Sequence, residues 1–329
     1  MAKMQPAVRD LNFTIPAGAV SGDSRSYIDT AKQLSKVNRR LYAQGRNYAF
    51  QGLTFIWRSS GVLPTDLATV TFSVATAGNT WVTQNAHVKG EALWNQMQAL
   101  VLEDNPSIAG KWHDFKVQMS DQQITARTLE CRDGQGAAYA AGEWEISTFV
   151  MPQHDVAVAG DGSGIPPGEP LPADEVTACL LGADTASKRC LTFAYQESRS
   201  TVSPDQPNVP AGMSDSFFNL LTDSGSQEPE LADVIELEND NPPYSILVYP
   251  GTTGNAVNPV MVQFGAISAA EVDGRVGGFV APCGLIEITI NGFDSLGAAI
   301  AVADMPEFDV LLHVAPGSYK GVASLPMGQ

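Results

Sequence analysis

The stretch "RNYAFQGLTFIW", Arg46–Trp57, decides the fold. Its apolar residues keep a period of two, but in two phases. Tyr48 and Phe50 hold one phase; Leu53, Phe55 and Trp57 hold the other. A strand turns successive side chains to opposite faces, so a change of phase needs an extra residue. Gly52 stands at the change. The stretch therefore predicts a strand with a β-bulge at Gly52.

The rest of the chain points the same way. "LATVTFSVAT", Leu67–Thr76, sets Ala68, Val70, Phe72 and Val74 against Thr69, Thr71 and Ser73, the pattern of a half-buried strand. "DFKVQM" alternates through Phe115, Val117 and Met119, and "EWEISTFVMP" places Trp144, Ile146, Thr148 and Val150 on one face. Later, "EVTACLL", "CLTFAYQ", "YSILVYP", "NPVMVQFGAI", "GGFVAPC", "LIEITI" and "FDVLLHVAP" read as strands. The 329 residues are 44% hydrophobic and only 17% charged, with 30 Gly and 21 Pro. That composition fills a core and suits many strands joined by turns.

Helices are few. Residues 26–44 predict one: Ile28, Ala31, Leu34, Val37 and Leu41 form an apolar stripe, with Ser26 as N-cap, Asp29 three residues on, and Gly45 as the stop. "GEALWNQMQALVLEDNP" predicts a second, with Leu93, Met97 and Leu100 on one face and Pro106 past its end. "DSFFNLL" suits a helical turn.

The charge is divided. Residues 1–60 hold nine Lys/Arg against three acids, while the whole chain carries a net −17. On the first helix Lys32, Lys36 and Arg40 recur at steps of four, with Arg39 beside them and Arg46 just beyond. These five residues are the candidate contact for an anionic partner: a phosphate backbone, with the nearby tyrosines stacking on bases, or an anionic membrane surface. Packing against a neighbouring subunit, or plain structural use, is the competing explanation.

No catalytic constellation stands out. His87, His113, His154 and His313 lack the i, i+4 spacing of a zinc helix, and no G-x-S-x-G elbow is present. No spacing singles out the carboxylate pair of a glycosidase. The reading is a non-enzyme without cofactor or metal. The acidic segment 228–240 holds Glu236, Glu238 and Asp240 in alternation, which suits either a solvated edge strand or a Ca²⁺ site. Cys131, Cys179, Cys190 and Cys283 form no CxxC pair, although Cys179 and Cys190 could face each other across a hairpin. The first residues lack the apolar core of a signal peptide, and no run approaches the length of a membrane span.

"AGDGSGIPPGEPLPADE", from Ala159, is dense in Gly and Pro and reads as a linker. Its G-x-G lacks the Lys of a phosphate loop. Two echoes flank it. "EWEISTFVMP" matches "EFDVLLHVAP" at Glu307–Pro316, and "LTFIW" at Leu53–Trp57 matches "LTFAY" at Leu191–Tyr195, in the same order. They suggest two related β domains: 1–45 a basic helical segment, 46–158 a first barrel, 159–174 the linker, 175–329 a second barrel.

In this organisation the chain resembles the major capsid proteins of tailless icosahedral viruses, of the double jelly-roll type. The resemblance implies a mostly β fold: two jelly-roll-like barrels in tandem, an N-terminal amphipathic helix and a few short helices. It implies a virion protein, made in the host cytoplasm, whose trimers build a shell with other capsid proteins. Lys32, Lys36, Arg39, Arg40 and Arg46 would then face inward, toward genome or an internal membrane. Two other readings compete: a single jelly-roll coat protein with a projecting domain, and a β-sandwich module that binds carbohydrate or serves in adhesion.

Overall fold

The change of phase at Gly52 is a bulge. In the computed structural model Arg46–Trp57 forms one strand. Against Phe308–Val314 its register runs from Trp57 opposite Phe308 to Gly52 opposite His313, then jumps to Phe50 opposite Val314. Gln51 is the extra, exposed residue. On the other edge the partner strand is broken into Asp273–Val276 and Phe279–Pro282. Gly52 has φ 140°, and a Cβ there would stand 2.2 Å from the carbonyl oxygen of Val276. Tyr48, Phe50, Leu53, Phe55 and Trp57 consequently all face one core.

The structure describes residues 6–18, 24–57, 67–110, 114–124, 127–140, 144–151, 164–169, 174–182, 187–197, 258–268 and 273–328, with the single residues 142, 157, 159 and 271. The chain is mostly β. In order it forms β1 (Asp10–Ile15), β2 (Arg25–Asp29), α1 (Thr30–Asn38), β3 (Arg46–Trp57), β4 (Leu67–Thr76), α2 (Trp81–Asp104), β5 (Gln118–Ser120), β6 (Arg127–Thr128), β7 (Thr148–Met151), β8 (Asp174–Leu181), β9 (Lys188–Cys190) and α3 (Leu191–Glu197). After these come β10 (Val260–Ser268), β11 (Asp273–Val276), β12 (Phe279–Pro282), β13 (Leu285–Asp294), β14 (Phe308–Val314), β15 (Pro316–Gly317), β16 (Gly321–Val322) and β17 (Ser324–Pro326).

The pairing is nested. β1 pairs with β14, β2 with β13, β3 with β11 and β12, and β4 with β10, all antiparallel. This makes one long ribbon of strand pairs. The ribbon is rolled on itself, because β14 also pairs with β3 and β13 with β4. Two sheets result, β1-β14-β3-β11/β12 and β10-β4-β13-β2, with β17 added to the first and β6 to the second. They share one apolar core that includes Phe13, Phe55, Phe308, Val310 and Leu312 from the first sheet and Val70, Phe72, Val74 and Ile288 from the second. The rings of Phe55 and Phe72 stack across it at 4.1 Å. Thr69, Thr71 and Ser73 are half-buried on the opposite face of β4, as the alternation predicts.

Residues 77–259 intervene between β4 and β10. They carry a second lobe, in which α2 and α3 pack with the sheet β5-β8-β7, β9 pairing with β8. Leu93, Trp94, Phe115, Phe149, Leu180 and Leu191 form its core together with Tyr27, Cys283 and Leu285 of the roll. The sheets therefore do not divide at 159–174. Strands from 1–45, 46–158 and 175–329 lie side by side, and the Gly/Pro segment falls within the insertion. Nor do the described strands form two barrels in tandem. The lobe's sheet is mixed, with β5–β8 and β8–β9 parallel.

Both echoes dissolve in the fold. "LTFIW" lies in β3, but "LTFAY" is the start of α3. In β14 Phe308, Val310, Leu312 and Val314 are buried. In β7 it is Phe149 that is buried, while Val150 is 46% exposed. The aligned letters thus point to opposite faces, as they do after a one-residue slip.

The first helix is shorter than its periodicity predicts. Arg25–Asp29 is a strand paired with β13, and Tyr27 and Ile28 are buried there. Asp29, not Ser26, caps α1, its Oδ1 accepting from the Lys32 N–H at 3.0 Å. The helix ends at Arg39 (φ 53°) rather than at Gly45. α2 begins nine residues earlier than expected, at Trp81 after the Thr80 cap, and Leu100 is 66% exposed rather than inward. Among the described residues no helix is long and apolar enough to cross a membrane. "YSILVYP", "DSFFNLL" and the acidic segment 228–240, with its calcium reading, lie outside the described residues, as do His113 and His154.

Candidate binding surface at the end of helix α1

Asp29 is the pivot of the region. It ends β2 and caps α1, and its Oδ2 accepts from Gln44 Nε2 at 2.8 Å and Trp144 Nε1 at 2.9 Å. Burial raises its carboxyl to about 6, and the donors from Lys32, Gln44 and Trp144 hold it from rising further. Gln44 is fully buried, and its Oε1 accepts from the Val117 N–H at 2.7 Å. One side chain thus ties the helix cap of the roll to the lobe.

The five cations do not share one environment. Lys32 and Lys36 each donate to Glu130, at 2.6 Å to Oε1 and 2.6 Å to Oε2, and Gln33 adds a bond of 2.9 Å to Oε2. Burial pushes the Glu130 carboxyl up, but these three donors more than reverse it and hold it below the ordinary range. Arg46 lies against Tyr319, its guanidinium carbon 3.7 Å from the ring centre, and donates from Nε to Ser324 Oγ at 2.8 Å. Arg40 donates to the Pro6 carbonyl at 3.1 Å. Arg39 is exposed and has no partner among the described residues. Glu130 went unseen in the sequence because it stands 94 residues from Lys36.

Beside Arg39 opens a cavity of about 200 Å³, lined by Ser35, Lys36, Arg39, Leu41 and Trp144 with Ala140 and Gly142. Leu41 is 50% exposed at its rim. The Ser35 hydroxyl is already committed, donating to Ala31 O and accepting from Tyr42 N. Trp144 is a fixed wall, held by its bond to Asp29 and by the Lys116 ammonium 5.2 Å from its ring centre. Sequence periodicity placed Trp144 on a strand face and gave no sign of this role.

A second group of titratable side chains sits between the roll and the lobe. His87 on α2 is fully buried, and neither ring nitrogen has a hydrogen bond. Its Nδ1 lies 3.9 Å from Glu91 Oε2. Burial pushes its pKa down to about 4, so the ring is neutral at pH 7. Cys283 is buried at φ 57°, and burial, followed by the charges of Asp29, Glu91 and Asp114, drives its thiol well upward. Such a thiol is the opposite of an activated nucleophile.

These shifts set opposing pH dependences. A depressed histidine supports the fold above its unfolded pKa of about 6.5, and that support is lost as pH falls through about 4. The raised Asp29 supports the fold below its ordinary value, and that support is lost as pH rises through about 6. Between pH 4 and 6.5 the two nearly cancel. His87→Leu removes one of them and two unbonded buried nitrogens. The variant is expected to gain stability as pH falls from 7 to 4, by up to about 3 kcal/mol over the parent at the acid end. Urea titrations at both pH values measure it, and a parallel pH profile for the two proteins would refute the assignment.

Cys179 and Cys190 stand opposite each other, but in parallel strands rather than a hairpin. All four cysteines are buried, and none of them forms a disulfide. Among the described residues no three His, Cys, Asp or Glu side chains come together as a metal site. No protein-family model, no curated protein and no solved structure matches the chain.

Proposed function

We propose that the chain is a viral coat protein, built on one jelly roll with a large insertion, whose copies assemble into an icosahedral shell. The observation that carries this reading is the strand order. Four nested pairs, rolled so that the eighth strand meets the third and the seventh meets the fourth, are the order of a jelly roll. That fold class serves viral capsids, lectins and cupins alike, so the site must choose among them. Inside the roll Phe13, Phe55, Phe72, Ile288 and Val310 fill the space that a cupin gives to its ligand. Filled walls suit a building block.

With one roll in each chain, the insertion between the fourth and fifth strands takes the place of a projecting domain. The tandem pair of rolls is not needed for this reading. A net charge of −17 keeps subunits soluble and apart before assembly. Copies of the chain are its first partners, and the virion is its place.

Purified protein, taken through a range of salt and pH, is expected to yield closed particles of uniform diameter by size exclusion and negative-stain electron microscopy. A species that stays monomeric under every condition would overturn the proposal. A stable monomer that also binds a glycan array would favour the carbohydrate-binding reading instead.

A further inference from the structure

We infer that the cavity beside Arg39 binds a single nucleotide unit, the base against Trp144 and the phosphate on Arg39. Three observations converge on it. The first is the cation. Arg39, the C-cap of α1, has no hydrogen-bond or ionic partner among the described residues, whereas Lys32 and Lys36 share Glu130 and Arg40 donates to the Pro6 carbonyl. Glu130 offsets one of those two lysines and Asp29 lies behind Trp144, so Lys32, Lys36 and Arg39 outnumber the two carboxylates bonded to this group in a chain that is acidic as a whole.

The second is the backbone. Arg39 closes the helix in the left-handed region, at φ 53°. Glycine or asparagine fits that position at least cost, and a branched or long side chain there is strained. From that position Arg39 lines the cavity, and among the described residues it bonds to nothing. The third is the wall. Trp144 is locked by its bond to Asp29 and offers a rigid aromatic surface, and Leu41 adds an apolar rim. About 200 Å³ suits one flat group rather than a large ligand. Aromatic wall, apolar rim and free cation together are the elements of sequence-tolerant nucleotide binding.

The unit has two sources, a free nucleotide or one residue of a single strand. Both are tested on unassembled subunits in low salt, so failure to form particles does not bear on the result. The probes are a labelled deoxythymidine decamer read by fluorescence anisotropy, with deoxythymidine monophosphate and inorganic phosphate as competitors. The monophosphate is expected to compete at least tenfold better than phosphate. Arg39→Gln is expected to weaken binding about tenfold and to lower the salt slope by about one. Arg39→Gly relieves the backbone, so it should lose binding equally while its melting temperature holds or rises by about 2 °C. A decamer at least tenfold tighter than the monophosphate assigns the site to a strand, and equal affinities assign it to the free nucleotide. Phosphate competing as well as the monophosphate overturns the inference, and so does either Arg39 variant binding like the parent.

Discussion

Gly52→Ala is expected to leave little folded protein. At φ 140° the position lies where only glycine is at ease, and the added methyl would meet the Val276 carbonyl oxygen at 2.2 Å. That oxygen belongs to the backbone of a neighbouring strand, so no side chain can swing aside. Relief would require opening β3 from β11, or moving the bulge and turning half of β3 inside out. The cost is expected to reach about 4 kcal/mol or more, a large part of the stability of an ordinary domain. Gln51→Ala, at the exposed residue of the same bulge, is expected to change stability by about 0.5 kcal/mol or less. Soluble yield and urea midpoints of the two variants decide it. A Gly52→Ala protein that melts like the parent would refute the bulge geometry.

The second large effect is expected at Gln44. Gln44→Leu keeps the volume roughly constant but removes a donor to Asp29 and the acceptor for the Val117 N–H. Both partners stay buried: the Val117 N–H is left unsatisfied at a cost of about 1–3 kcal/mol, and Asp29, which keeps Lys32 and Trp144 as donors, loses one hydrogen bond worth about 1 kcal/mol. The expected loss is therefore about 2–4 kcal/mol. It has a regional signature, because the two bonds join the cap of α1 to the lobe. Amide exchange should quicken both at 29–38 and at 115–119, while β3 and β14 keep their protection. Uniform quickening across the roll would instead mean that Gln44 is an ordinary core residue.

Local pattern carried some of this fold and not the rest. The bulge was legible because Tyr48 and Phe50 break phase with Leu53 and Phe55, a signal held within twelve residues. The burial of Val70, Phe72 and Val74 was legible for the same reason. "LTFAY" was not, since five mostly apolar residues suit a strand or a helix equally, and only packing against α2 makes α3. β2 was hidden because its partner β13 lies some 260 residues away, and that pairing outweighs the helical spacing of Ile28 and Ala31. The pairing of described strands across the expected domain division was hidden on the same ground. A Gly/Pro-rich segment marks a break in local order, but it says nothing of which distant strands meet. At the candidate site, Lys36 and Arg39 were visible as charges. Their difference was not, because it is set by Glu130, which belongs to another part of the chain.

The nested pairing also sets a timetable. Asp10 pairs with His313, so β1 is completed only by a strand made some 300 residues later. Residues 77–259 separate β4 from its partner β10. At about 5–20 residues per second a ribosome needs roughly 10–40 s to cross that stretch. Throughout it, β1 to β4 have emerged without their partners, β-branched and aromatic, with open edges. Such contacts close slowly and invite wrong pairings between chains. Where many copies are translated at once, the early strands of one chain can meet those of the next before their own partners exist. The yield of this protein is then governed as much by the speed of its synthesis, and by what shields those strands meanwhile, as by the stability of the finished roll.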